Sequence, residues 1–193
     1  MSPLKVMLFL AGLLPLFWLL YGAWTDGLGA NPIERIIRWN GDWALWWLLL
    51  TLCVAPMQRL PGCGGLSRLR RMAGLFSFFY LFLHVLGYGV LDKYFAWQDI
   101  VLDVRKRPYI TVGMAAFLLL LPLAITSTQG WMRRLGRHWR RLHRGVYPAA
   151  LLGVLHHFLM VKADWRTPAL EALVLATLLG WRVWIVHRRI RTV

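Results

Sequence analysis

The stretch from Trp139 to Lys162, WRRLHRGVYPAALLGVLHHFLMVK, decides how the rest of the chain reads. A cluster of arginines runs directly into an apolar segment with His143 at its start and His156 and His157 in its far half. His143 and His156 lie thirteen residues apart, about 20 Å along a helix, or about two thirds of a hydrocarbon core about 30 Å thick. An imidazole at that depth must find a partner or ligate something, and ionisable groups inside a membrane mark functional positions. One reading is axial ligation of haem iron, for which histidine is a standard ligand. The other places His143 among lipid headgroups beside the arginines and has His156 hydrogen-bond a neighbouring helix. A matching histidine elsewhere in the chain favours the first.

Composition sets the class. Of 193 residues, 59% are hydrophobic and twelve are Trp, with a mean hydropathy of +0.52, far from an ordinary soluble domain. The expectation is an all-α integral membrane protein. A formal charge of +15 and a pI of 11.2 would suggest nucleic acid in a soluble chain, but membrane topology accounts for them here and no nucleic-acid partner is expected. Cys53 and Cys63 form no CxxC pattern, so neither a zinc site nor a redox dithiol is indicated. The first apolar stretch follows a single Lys5, contains Pro15 and ends in no clear small-residue cleavage site, and reads as a retained span rather than a signal peptide.

Six apolar segments, roughly 6–24, 43–57, 73–91, 109–126, 143–161 and 168–186, predict a bundle of six transmembrane helices forming one domain over residues 1–193. Fifteen basic residues then share one side with no acid: Lys5, the arginines at 59, 68, 70 and 71, six from Arg133 to Arg144, and four from Arg182 to Arg191. The opposite side holds eight bases and eight acids, among them Asp42, Asp103 and Glu171. The positive-inside rule places both termini in the cytoplasm. The cationic face suits anionic lipid, or less simply an acidic soluble partner.

The two longest outer connections, 25–42 and 92–108, alternate apolar and charged residues. Segments such as NPIERIIRWNGDW predict short interfacial helices, serving either as a docking surface or as plain connectors. No internal repeat, low-complexity tract or soluble domain is visible, and neither a GxGxxG fingerprint nor a P-loop is present. Nicotinamide chemistry is therefore expected on another protein.

The matching histidine is His84, in FSFFYLFLHVLGYGVLD. It lies eleven residues beyond Ala73 as His156 lies thirteen beyond His143, so the two depths agree within about 3 Å in the outer half of the membrane. Two histidines at one depth can clamp an iron, with Phe78, Phe79, Phe82 and Phe158 as an apolar wall. Such ligation leaves no open position and points to electron transfer. His143 is a candidate ligand for a second, inner haem. Counting back from His84 gives Arg71 and Arg70, which suit haem propionates rather than iron. Spacing does not separate His156 from His157, since thirteen residues turn an ideal helix about 140° and fourteen bring it within about 40° of the starting face, with Pro148 free to change the phase. His138 and His187 read as solvated.

FLHV, RPYITVG and WRRLHRGVYPAALLGVLHHFLMVK together resemble the haem-binding membrane subunit of the bacterial protein-methionine-sulfoxide reductase system, the MsrQ (YedZ) family, over nearly the whole chain. More distantly the chain is similar to the ferric-reductase and NADPH-oxidase transmembrane domain. The resemblance implies haem b, one or two per chain, with His84, His143 and His156 as haem-associated residues and His156 rather than His157 at the family position. It implies a bacterial inner-membrane protein that takes electrons from the quinone pool or a cytoplasmic flavin reductase. Its partner would be a periplasmic molybdopterin-dependent reductase of oxidised methionine, the reversible rung of the sulfur oxidation ladder. FMN is associated with the family, though the glycines of LPGCGGL are too weak a pattern to nominate a site. Arginine stands where the oxidase relatives carry a fourth histidine.

The leading expectation is thus a haem electron conduit rather than a complete enzyme. The nearest alternative is a stand-alone ferric, metal or quinone reductase built on the same helices. A third, a transporter or assembly factor for a metal ion, is disfavoured by the single depth-matched pair and by the apparent lack of membrane-embedded carboxylates.

Overall fold

Backbone amides in lipid must be satisfied within the chain, and long apolar runs meet that demand as helices. A computed structural model describes residues 3–58 and 66–191, and among these the secondary structure is helical throughout. The order is α1 (Pro3–Trp24), α2 (Pro32–Met57), α3 (Ser67–Gly87) continued by a π-helical turn (Tyr88–Asp92), α4 (Trp97–Lys106) and α5 (Pro108–Ile125). Then follow α6 (Gln129–Leu135), α7 (Arg137–Leu142), a 3-10 turn (His143–Gly145), α8 (Val146–Met160) and α9 (Arg166–Arg191). Arg59, Cys63 and most of LPGCGGL lie outside the described residues.

Among the described residues four stretches are long and apolar enough to cross a membrane: Pro3–Trp24, Leu69–Asp92, Pro108–Ile125 and Arg166–Ile185. The remaining two expected spans differ in instructive ways. The segment expected at 43–57 is the second half of α2, and NPIERIIRWNGDW is no separate interfacial helix but the start of the same one. The Asn31 side chain accepts the Glu34 amide at 3.2 Å and donates to the Glu34 carboxylate at 3.0 Å, while Pro32 occupies the first turn. This Asn31 side-chain cap starts the helix at Pro32, and Gly41 does not interrupt it. The segment expected at 143–161 divides into the 3-10 turn and the 15-residue α8, because Pro148 has no amide for the Arg144 carbonyl. The connection expected at 92–108 does contain a short helix, α4.

Packing runs through two antiparallel pairs, α2 on α3 and α5 on α8, with α9 against α2 and α8. The main core joins Leu45, Leu48, Leu49 and Leu52 of α2 to Leu120 and Leu123 of α5, Ala149, Ala150 and Val154 of α8, and Leu175 of α9. Ala149 and Ala150 are fully buried, and small residues of this kind let membrane helices approach closely. A second cluster of Ala44, Trp47, Ala73, Phe76 and Tyr80 receives α1. Tyr80 donates its hydroxyl to the Gly12 carbonyl at 2.6 Å, and Trp39 donates its indole hydrogen to the Pro15 carbonyl at 3.0 Å while stacking on Trp18. The outward faces of α1, α5 and α9 remain apolar, as with Leu14, Leu118 and Leu173, which suits lipid contact.

At the end of the bundle where α3 finishes, the chain returns through α4 over a charged clasp. Asp103, 8% exposed, accepts from Tyr88 at 2.9 Å, Lys93 at 2.7 Å and Arg107 at 3.1 Å. Burial pushes the Asp103 carboxyl up, but the hydrogen bonds and charges of Lys93, Tyr88 and Arg107 outweigh it and hold the group below its ordinary value. Hydrogen bonding to that carboxylate holds the Lys93 ammonium above its own. The clasp fixes the turn that follows the π-helical end of α3, where Tyr94 and Phe95 both take positive φ.

Candidate functional site

His84 projects from α3 and His156 from α8. Nδ1 of His84 lies 2.8 Å from the Ile37 carbonyl of α2, and Nδ1 of His156 lies 2.7 Å from the Tyr109 carbonyl of α5. A carbonyl oxygen accepts and cannot donate, so in both rings Nδ1 carries the hydrogen and Nε2 keeps its lone pair. This second-shell bond is the arrangement that orients a ligating histidine. The centroids of the two rings lie 6.0 Å apart, with the planes 81° apart. Two metal–nitrogen bonds of about 2 Å, plus about 1 Å from each ring centre to its nitrogen, give about 6 Å for a bis-imidazole pair. The donor set and the spacing therefore fit two axial ligands of one iron. Among the described residues no group of three or more His, Cys, Asp or Glu is placed to hold a metal ion. A haem needs no such group, since the macrocycle supplies four nitrogens and the protein two.

His157 turns the other way. Its Nδ1 donates to Oε2 of Glu171 at 2.7 Å, and its Nε2 lies 4.0 Å from Oδ1 of Asp42. The Glu171 side chain is fully buried, and its Oε1 has no partner among the described residues. This corrects the expectation of a bundle without embedded carboxylates. Glu171 is no balancing charge at the surface; it is buried where α9 packs on α2 and α8, with His157 on its Oε2. The sequence signal is a carboxylate inside the apolar run PALEALVL, three residues past a proline.

At the arginine-rich end, His143 stacks on Trp139 with centroids 3.9 Å apart and places Nε2 3.2 Å from the Thr126 hydroxyl. That hydroxyl donates to the Pro122 carbonyl at 2.6 Å, so it accepts from Nε2 and leaves Nδ1 of His143 with the lone pair. Arg70 lies close enough to His143 to interact with it electrostatically, whereas Arg71 is exposed. His138 is exposed, and His187 bonds the Val183 carbonyl of its own helix at 3.1 Å.

The expected aromatic wall is not one surface. Phe78 stacks with Phe82 and with Phe117 of α5, but Phe79 packs edge-on to Phe76 and Tyr80 in the α1 cluster. Phe82 and Phe158 are 47% and 38% exposed. On α3, Phe82 lies about 40° from Phe78 but Phe79 about 100° from it, and Phe158 belongs to α8, so only Phe78 and Phe82 share a helix face.

Residues 40–154 match the family described as the ferric reductase-like transmembrane component. This span holds His84 but neither its α2 partner Ile37 nor His156. A relative from Xanthomonas euvesicatoria is 54% identical over 168 residues, covering 87% of this chain and 77% of its own length. Another from Rhodospirillum rubrum is 53% identical over 191 residues, covering 97% and 91%. The chain belongs to the MsrQ family. Both relatives are named as the heme-binding subunit of protein-methionine-sulfoxide reductase. Membership of this family and the four apolar helices together make the chain a multi-pass membrane protein.

Proposed function

We propose that the chain is a haem b electron-transfer subunit, with one or two haems per chain, serving a methionine-sulfoxide reductase. The observation that carries this reading is the pair His84 and His156, whose ring centroids lie 6.0 Å apart, each with Nδ1 on a backbone carbonyl and no hydrogen-bond partner at Nε2 among the described residues. His84 and His156 would hold a haem through their Nε2 atoms, and the group would supply one-electron transfer there. The chain's own residues hold the rings, keep Nε2 unprotonated and surround them with packed helices. At the arginine-rich end, His143 with Arg70 beside it and Arg71 on the next position would serve a second haem, as ligand and propionate contacts respectively.

The remaining parts follow from membership and charge. Six crossings with both termini in the cytoplasm of a bacterial inner membrane agree with fifteen basic residues on one side against eight on the other. The electron donor is the quinone pool or a cytoplasmic flavin reductase, and the acceptor a periplasmic molybdopterin-dependent reductase. Each sulfoxide takes two electrons and two protons and releases its oxygen as water, so two one-electron transfers pass through the subunit per repaired methionine.

The test is reoxidation of the reduced protein in vesicles. Reoxidation by the partner reductase plus a methionine sulfoxide, and not by the sulfoxide alone, supports the proposal. A second reading, a stand-alone ferric reductase, draws on the family matched by residues 40–154. Rapid reoxidation by ferric chelates without any partner would favour that instead.

A further inference from the structure

The contacts of the two histidines repeat at a fixed offset. His84 meets the carbonyl of Ile37, and His156 meets that of Tyr109; each carbonyl lies 47 residues before its histidine. Four residues after each carbonyl stands a glycine, Gly41 and Gly113. A methyl group at Gly41 would sit 2.9 Å from Nδ1 and 3.1 Å from Cε1 of His84. One at Gly113 would sit 2.7 Å from Nδ1 and 2.9 Å from Cε1 of His156. Adding 72 to Ile37, Gly41 and His84 gives Tyr109, Gly113 and His156, so α2 with α3 and α5 with α8 share one carbonyl–glycine–histidine spacing. Little else in the two segments matches, which is why the repeat does not show as sequence similarity.

Helix geometry explains the recurrence. Residues i and i+4 lie one above the other on the same face, so a side chain at i+4 stands over the approach to the carbonyl of residue i. That carbonyl accepts from the amide of residue i+4 and has a second lone pair. An imidazole from the neighbouring helix reaches this lone pair when residue i+4 carries no Cβ.

We propose that Gly41 and Gly113 are positioning residues: each forms a notch that seats one histidine against its carbonyl, and the matched notches fix the separation and near-perpendicular setting of the two rings. Their purpose rests on the haem reading above, but their geometry does not. Both glycines keep the two helix axes of a pair close enough for the bond from Nδ1. They thereby act on the iron through His84 and His156 without touching it.

The experiment uses the full chain purified in detergent, as wild type, Gly41→Ala, Gly113→Ala and Gly74→Ala. At Gly74 a methyl group would meet Thr51 at an ordinary 3.6 Å, so this variant controls for added bulk in the same bundle. Haem per polypeptide and the EPR spectrum of the ferric protein are read, because the angle between axial imidazole planes sets the anisotropy of a low-spin signal. Gly41→Ala and Gly113→Ala are expected to lose haem several-fold or to shift the low-spin signal, while Gly74→Ala matches wild type. Wild-type haem content and spectrum in both site variants would overturn the proposal. A thermal double-mutant cycle covers variants that fold poorly. The midpoint lowered by Gly41→Ala should recover its loss when the same change is made in His84→Ala, and likewise for Gly113→Ala in His156→Ala. An equal drop with and without the histidine would place the collision elsewhere and overturn the proposal. A haem-free wild type would sink the electron-transfer reading alone, and the cycle would still decide the notches.

Discussion

His157 gives its Nδ1 hydrogen to the fully buried Glu171, 2.7 Å away, while its neighbour His156 gives the same atom to the Tyr109 carbonyl at 2.7 Å. Adjacent helical residues point about 100° apart, so the doublet divides its work: one ring lies beside His84 and the other ties α8 to α9. Spacing left the two histidines undistinguished; in the structure they have different partners, the Tyr109 carbonyl for His156 and Glu171 for His157.

That division predicts opposite phenotypes. Removing one partner of a buried hydrogen bond leaves the other unsatisfied, at a cost of about 1–3 kcal/mol. His157→Ala is expected to lower the thermal midpoint strongly yet keep the haem absorbance in the protein that folds, and His156→Ala to lose the absorbance. The reverse pattern would assign the iron to His157.

The Asp103 clasp predicts a pH dependence outside the membrane. Folding lowers the Asp103 carboxyl below its ordinary 3.8, so its contribution is present above that value and is lost as the pH falls through the folded one. Folding raises Lys93 above its ordinary 10.5, so its share is present below that value and is lost as the pH rises through the folded one. Asp103→Asn should cost about 1–2 kcal/mol at neutral pH, with the gap to wild type closing in strong acid. Thermal unfolding across pH measures it, and a gap independent of acid would contradict the account.

The sequence made part of this legible. Histidines are rare enough inside apolar segments that FLHV and LHHF stood out, and equal depths from the arginine-rich side brought His84 and His156 to the same level. Angular phase was another matter, because it depends on which helix each ring faces. Glu171 looked like one of eight balancing acids because it lies near the start of its helix. Its burial follows from α9 packing on α2 and α8, which no local pattern encodes. The cap at Asn31 and Glu34 was readable, and it argues for one long α2 where charge alternation suggested a surface helix. Gly41 and Gly113 carry no local signal, since glycine is common in membrane helices and acquires its meaning from the ring opposite.

The docking of α1 rests on a definable bond. Tyr80 is fully buried and donates to the Gly12 carbonyl at 2.6 Å. Tyr80→Phe is expected to cost about 1 kcal/mol, read as a lower thermal midpoint, with haem content unchanged. An unchanged midpoint would show that this bond adds nothing to the apolar contacts and the Trp39–Pro15 bond that also hold α1.

At the arginine-rich end, Nδ1 of His143 is the nitrogen left with a lone pair by the bond to Thr126. His143→Ala is expected to remove one haem of two and leave the His84–His156 haem in place. Equal haem content in the two proteins would reduce His143 to a packing partner of Trp139.

The most direct measurement is haem per polypeptide, with the dithionite-reduced spectrum, in wild type, His84→Ala and His156→Ala purified side by side. The account predicts a low-spin b-type spectrum in wild type and the loss of that haem in either variant. A colourless wild type, or a full wild-type spectrum after removal of either ring, would contradict it.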